Sequence, residues 1–182
     1  MSEGKQWKLD VAMRTALKIA DELKDWCTQI GIAGSIRRGR PFVGDIDIVL
    51  EPKSELDHKL ILTRCEVTAR YVKGGSQYQV FELPGGLQLD LWFAHAGQPE
   101  ERDMLQSVTR AAKPGNFGML MLTRTGSYQH NIYLAQVAKS RGLHFAAHDG
   151  IQQAGRVIAS ESEDDVFRAL GMDYLAPERR ER

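Results

Sequence analysis

Ala33-Gly34-Ser35-Ile36-Arg37-Arg38-Gly39, followed closely by Val43-Gly44-Asp45-Ile46-Asp47-Ile48-Val49-Leu50, decides the reading of this chain. The second stretch is an apolar, β-branched run carrying two carboxylates one residue apart. Side chains alternate along a strand, so Asp45 and Asp47 project from one face and Ile46 and Ile48 from the other. Same-face neighbours lie about 7 Å apart along the strand, and two like charges held so are disfavoured unless a cation joins them. The first stretch supplies a small-residue turn and two arginines. Further on, Gln88-Leu89-Asp90-Leu91-Trp92-Phe93 sets a third carboxylate on another alternating segment. Three strand-borne carboxylates beside a Gly-Ser turn and arginines point to a magnesium site that handles a nucleoside triphosphate.

The chain has 182 residues, enough for one domain or two small lobes with a proper core. Its 24 basic and 24 acidic residues cancel, which argues against a long electrostatic groove for nucleic acid. A local basic site remains at Arg37, Arg38 and Arg40. No apolar run reaches the roughly 20 residues that span a bilayer, and the polar start lacks a signal-peptide pattern, so no membrane partner is expected. Cys27 and Cys65 have no metal-ligand spacing, and the default expectation is a reducing, cytoplasmic or otherwise intracellular setting.

Helical periodicity predicts a helix over about residues 8–29, then strands over 30–36 and 42–51 around an Arg-Gly-Arg-Pro turn. A helix over 55–66 precedes three strands, 67–73, 77–83 and 87–94, separated by Gly74-Gly75-Ser76 and Pro84-Gly85-Gly86. Beyond residue 97 helices are expected over 99–111, 115–123 and 128–141, the last closed by Gly142. Residues 143–147 and 155–159 read as a small hairpin. Ser162 opens a last helix with acidic residues in its first turn, ended by Gly171. The fold class is therefore α+β: a mixed-sheet lobe over residues 1–97, then a mostly helical lobe with a small β element over 98–182.

The run from Gly34 to Gly39, with Asp45-Ile46-Asp47 ten residues beyond the serine, resembles the palm signature of family X DNA polymerases, the polymerase beta type. Thr125-Gly126-Ser127, His130-Asn131 and Ala138-Lys139-Ser140-Arg141-Gly142-Leu143 are similar to the family's thumb. Residues 160–180 resemble its C-terminal segment. The resemblance implies that Asp45, Asp47 and Asp90 are catalytic and bind two magnesium ions, with manganese an admissible substitute. It implies nucleotide binding by Gly34, Ser35, Arg38, Gly44, Arg124, Gly126, Ser127 and Asn131. For Arg124 a contact to phosphate or sugar competes with a structural salt bridge, and Asn131 could merely cap a helix. Thr123 and Arg124 stand where the family carries aromatic residues that test the sugar, and Gln88 stands where it often carries an arginine.

The expected activity is nucleotide addition to a primer 3′-hydroxyl by two-metal phosphoryl transfer with release of pyrophosphate. The alternative is a template-independent nucleotidyltransferase acting on an RNA end, a small molecule or a protein. A third reading is a binding scaffold with a degenerate site, against which the intact carboxylate trio speaks. Expected partners are a nucleoside triphosphate and weakly held primer-template or gapped DNA, because the acidic pair arrives too early for the family's lyase and helix-hairpin-helix modules. The small size fits a viral or accessory enzyme, and an accessory protein is admissible as a further partner. Arg37 is open between phosphate contact and surface. The tail from Arg179 to Arg182 reads as a solvated end, His130 as a packed helix residue, and Trp7, Trp26 and Trp92 as packing.

Overall fold

The computed structural model describes residues 5–98 and 113–181, together with the backbone of 101–103 and 108–110. A short strand, β1 (Trp7–Lys8), leads into helix α1 (Leu9–Leu23), whose Ala12, Ala16 and Leu23 are buried. A 3₁₀ turn over Lys24–Trp26 ends the helical segment, and β2 (Cys27–Ile32) begins at Cys27. The helix expected to residue 29 is thus shorter. Residues 27–32 gain more by pairing antiparallel with the next long strand than by extending an amphipathic stripe. The strand expected over 30–36 also stops early. Gly34, at φ +63°, turns the chain into the single helical turn α2 (Gly34–Arg37).

β3 (Phe42–Val43) pairs with β1, and β4 (Asp45–Pro52) follows. Helix α3 (Glu55–Thr68) is capped by Ser54, whose hydroxyl accepts from the Asp57 amide at 3.1 Å. Then come β5 (Arg70–Gly74), β6 (Tyr78–Glu82) and β7 (Gln88–Phe93), the meander anticipated from the Gly and Pro punctuation. The five-stranded sheet runs β2-β4-β7-β6-β5. Only the central β4–β7 pair is parallel; the other neighbours are antiparallel.

Where a helix was expected over 99–111, Glu101–Asp103 (β8) and Val108–Arg110 (β9) form an antiparallel ladder. The rest of that segment lies outside the described residues. Helices α4 (Phe117–Thr125) and α5 (Tyr128–Ser140) follow. Gly142, at φ +70°, closes α5: its amide reaches the Lys139 carbonyl, and the Leu143 amide the Ala138 carbonyl. The expected hairpin is a three-stranded sheet: β10 (His144–Ala146), β11 (Gly150–Gln153) and β12 (Arg156–Ala159). Helix α6 (Glu163–Ala169) starts on Ser162, whose hydroxyl accepts from the Asp165 amide.

Alternation along β4 and β7 gives the sheet two unlike faces. Ile46, Ile48, Leu50, Leu89, Leu91 and Phe93 pack with residues of α1 and α3 in the main core. Val49 and the partly buried Trp92 point the other way, against Ala33, Ala94, Leu120 and Met121. Helix α4 covers that second face with Leu120 and Met121, while its Met119 and Leu122 enter a separate core with Leu134, Ile151, Val166 and Phe167. Apolar cover ends where β4 and β7 carry Asp45, Asp47 and Asp90. Among the described residues, no helix is long and apolar enough to cross a membrane.

Candidate active site

The parallel pairing of β4 with β7 puts Asp47 directly opposite Asp90 and Asp45 opposite Gln88. Cross-strand partners share a face, so all three carboxylates look out of the same side of the sheet. Asp90 is 6% exposed. It accepts the Tyr78 hydroxyl on Oδ2 at 2.8 Å and the Gln88 amide on Oδ1 at 2.7 Å. Asp47 Oδ1 accepts Trp92 Nε1–H at 3.1 Å.

Burial raises the Asp47 carboxyl to about 7, with the Asp45 and Asp90 charges adding to it and Trp92 and Arg124 opposing. Asp45 is also raised, by burial and then by Asp90. Asp90 is raised by burial against the pull of Tyr78 and Gln88. Three acids that resist ionising together are a charge excess that a cation would relieve, and carboxylate oxygens are the donors hard divalent cations select. The donor chemistry fits a divalent site. Among the described residues, however, no three acidic, imidazole or thiol groups are drawn into a ready-made cage. The Asp47 and Asp90 side chains are held instead by neighbouring donors.

The Gly-Ser turn faces this acidic patch. A Cβ on Gly34 would overlap Asp47 Oδ2, so a glycine at positive φ is what lets the turn approach the carboxylate. The Ser35 hydroxyl is buried and has no hydrogen-bond partner. Gly44 is exposed, and a side chain there would meet nothing within 4 Å of its Cβ.

The two arginines of the turn divide their tasks. Arg37 makes a paired contact to Glu163, at 2.8 and 2.7 Å, and donates to the Thr125 hydroxyl at 2.9 Å. Its open assignment resolves to a link across the fold. Glu163 also accepts Arg180 Nη1 at 2.7 Å, and Arg180 is wholly buried. Burial raises the Glu163 carboxyl, but the two guanidiniums outweigh it and hold the group below the ordinary range. Arg38 donates from Nε to Glu181 at 2.6 Å and from Nη1 to the Thr125 carbonyl. The expectation of a solvated tail therefore fails at Arg180, which is buried because the Glu163 carboxylate requires its partner; Glu181 stays exposed while it pairs with Arg38.

Around Thr125-Gly126-Ser127 the chain is equally committed. Gly126 has φ +70°, and the Gly126–Ser127 peptide is cis. The Ser127 hydroxyl donates to the Arg180 carbonyl at 2.9 Å and accepts the His130 amide at 3.3 Å, so it caps α5 and anchors the tail. Asn131 donates to the Thr123 carbonyl at 2.7 Å, which ties two helices rather than capping one. Its Oδ1 is buried with no partner.

Residues 120–181, which include all of these thumb groups, match the DNA polymerase beta thumb. DNA polymerase lambda of Rattus norvegicus is 26% identical over 173 residues, covering 81% of this chain and 28% of that protein. Over these stretches the chain is similar to family X DNA polymerases. It spans little more than a quarter of the length of the curated relative it matches.

One cluster departs from what the sequence reading anticipated. Arg124 enters no salt bridge among the described residues; its guanidinium lies 3.7 Å from the centre of the Trp92 ring, and Nη2 lies 3.0 Å from His148 Nε2. Trp92 is stacked on Tyr78 as well, with centroids 3.9 Å apart. Trp92 is thus more than packing, since it links a thumb arginine to Asp47. Its place two residues after Asp90 on an alternating strand puts it on the acidic face, a signal available in the sequence. Tyr78 stands opposite Trp92 in the antiparallel β6–β7 register, which depends on the hairpin turn. Glu163 and Arg180 lie too far from Arg37 in sequence to be paired with it by inspection.

Proposed function

We propose that this chain is a small nucleotidyltransferase that adds nucleotides to a primer 3′-hydroxyl on DNA, releasing pyrophosphate. The observation that carries the reading is the register of Asp47 against Asp90 beside Asp45, facing the Gly34-Ser35 turn. The similarity of residues 120–181 to a polymerase thumb supports polymerisation over template-independent transfer.

Asp45, Asp47 and Asp90 would hold magnesium, whose chemistry when bound is to neutralise charge on the attacking and leaving oxygens. The other groups are the chain's own. Ser35, with its buried unpartnered hydroxyl, offers a donor to phosphate alongside the backbone of the turn. Arg38 is suited to exchange Glu181 for the β,γ-phosphates, a charge-assisted contact of the same kind. Tyr78 and Gln88 fix the orientation of Asp90, and Trp92 that of Asp47. Asn131, whose buried Oδ1 has no partner, and Gly126 would contribute to the nucleotide pocket, as the resemblance to the thumb implies.

The test offers each labelled nucleoside triphosphate, deoxy and ribo, with a gapped duplex, a single strand or no nucleic acid. Magnesium-dependent incorporation directed by the template base is expected, and its loss in Asp90→Asn. Addition indifferent to the template would select the alternative transferase. Full activity in Asp90→Asn would remove the site assignment.

A further inference from the structure

Tyr78, Trp92 and Arg124 form a column of three planar groups, two from the sheet and one from the last turn of α4. The column touches the acidic face twice: Tyr78 donates to Asp90, and Trp92 to Asp47. Arg124 closes its outer end. Among the described residues the guanidinium has no ion pair, and its Nε is buried with no hydrogen-bond partner. His148 accepts from Nη2, and burial and the Arg124 charge hold its imidazole below the ordinary histidine value. Arg124 is partly buried, and a partly buried cation without a carboxylate in contact is disfavoured unless nearby negative charge compensates it. The nearest excess of negative charge is the trio behind the indole ring, where Asp47 acts on Arg124 and Arg124 on Asp47.

We infer that Arg124 is the resident counter-ion of the Asp45–Asp47–Asp90 cluster, acting through Trp92, and that divalent cations bind in opposition to the Arg124–Trp92 stack. The inference rests on the reading of that trio as the cation site. Two sources of positive charge then compensate one set of acids. One is carried permanently on the thumb helix, and the other arrives with substrate. Arg124 and Trp92 are positioning residues in this scheme, not catalytic ones. By linkage, whatever strengthens the stack weakens cation binding, and the reverse.

The experiment measures manganese binding alone, without nucleotide, by calorimetry on the full chain. Arg124→Met keeps an aliphatic stem over the indole and removes the charge; it should tighten manganese binding about fivefold or more. Arg124→Lys keeps the charge but not the flat stacking group, so its manganese affinity should fall between wild type and Arg124→Met. In an Asp47→Asn background the Arg124→Met effect should vanish. In the wild-type protein, magnesium should shift the Trp92 indole N–H resonance, assigned with Trp92→Phe; this readout needs no charge variant to fold. Unchanged or weaker manganese binding in Arg124→Met, the same gain without Asp47, or an indole resonance unmoved at saturating magnesium would each overturn the inference while leaving the polymerase reading intact. A wild type that binds neither cation would overturn both.

Discussion

Among the described residues, Glu163 is the only carboxylate in contact with Arg180 and also closes a paired contact with Arg37, so Glu163→Gln tests how far this network ties α2 to α6 and the C-terminal segment. Arg180 is fully buried and Glu163 9% exposed, so water cannot take over from the lost charge. Removing one partner of a buried pair costs about 3–5 kcal/mol, because the other charge is left uncompensated. The glutamine keeps the shape and one acceptor, which brings the expectation to about 2–3 kcal/mol. For a chain of this size that is a melting temperature lower by about 4–12 °C. The sign of the pH dependence follows from the depressed Glu163 carboxyl. Its stabilisation is present above the ordinary value of 4.5 and is lost as pH falls through the lower folded value. The gap between wild type and Glu163→Gln should therefore be full at neutral pH and close on acidification below 4.5. Thermal melts across pH, with Arg180→Met and the double variant completing a cycle, measure this directly. The double variant should lose less than the sum of the singles, because it no longer buries an unpaired guanidinium. A Glu163→Gln protein that melts within about 1 °C of wild type at neutral pH would refute the reasoning.

Gly34→Ala puts a methyl group against Asp47 and forces an unfavourable φ, so incorporation should fall about a hundredfold while circular dichroism stays near wild type; unchanged activity would detach the turn from the site. Glu181→Gln weakens the hold on Arg38, and triphosphate binding by titration should tighten about two- to fivefold, the range for a half-exposed pair. For Asp47, whose folded value is raised to about 7 from 3.8, ionisation is penalised only in the folded state. That penalty is absent below 3.8, grows to about 7 and is constant above. Asp47→Asn should then be more stable than wild type by about 1–2 kcal/mol near pH 8 without divalent cations, allowing for solvent screening, and the gain should shrink near pH 5. Urea denaturation at both pH values reads it, and a gain independent of pH would exclude Asp47 as its source.

What the sequence disclosed was whatever depends on short-range alternation. Asp45, Asp47 and Asp90 could be assigned to one face because strand period is two, and the faces of β4 and β7 follow from that alone. The Gly and Pro punctuation located the meander, and Gly142 and Gly171 the helix ends. The Gly34–Arg37 turn was misread as strand because Ile36 continued an apolar pattern that a positive φ at Gly34 interrupts. β11 escaped notice because Gln152 and Gln153 give a four-residue strand little apolar signal. The Arg37–Glu163–Arg180 network joins residues 126 and 17 positions apart, and no local period encodes such a pairing. The role of Trp92 was within reach, being fixed by the same alternation that placed Asp90.

Helix α4 explains why these long-range contacts matter together. It is buried on both sides, with Leu120 and Met121 against the sheet and Met119 and Leu122 in the second core. Its start is fixed by close approach: a Cβ on Gly118 would collide with the Ser162 backbone, and the Gly118 and Met119 amides donate to the Glu161 and Ser160 carbonyls. Its last turn carries Arg124 over Trp92 and Thr125 against Arg37 and Arg38. A rigid helix anchored at one end and sandwiched along its length cannot move Arg124 without moving Thr125. Any tilt of α4 must therefore change the charge beside Asp47 and the hold on Arg38 in the same step, which couples Asp47 to Arg38 through one element of backbone.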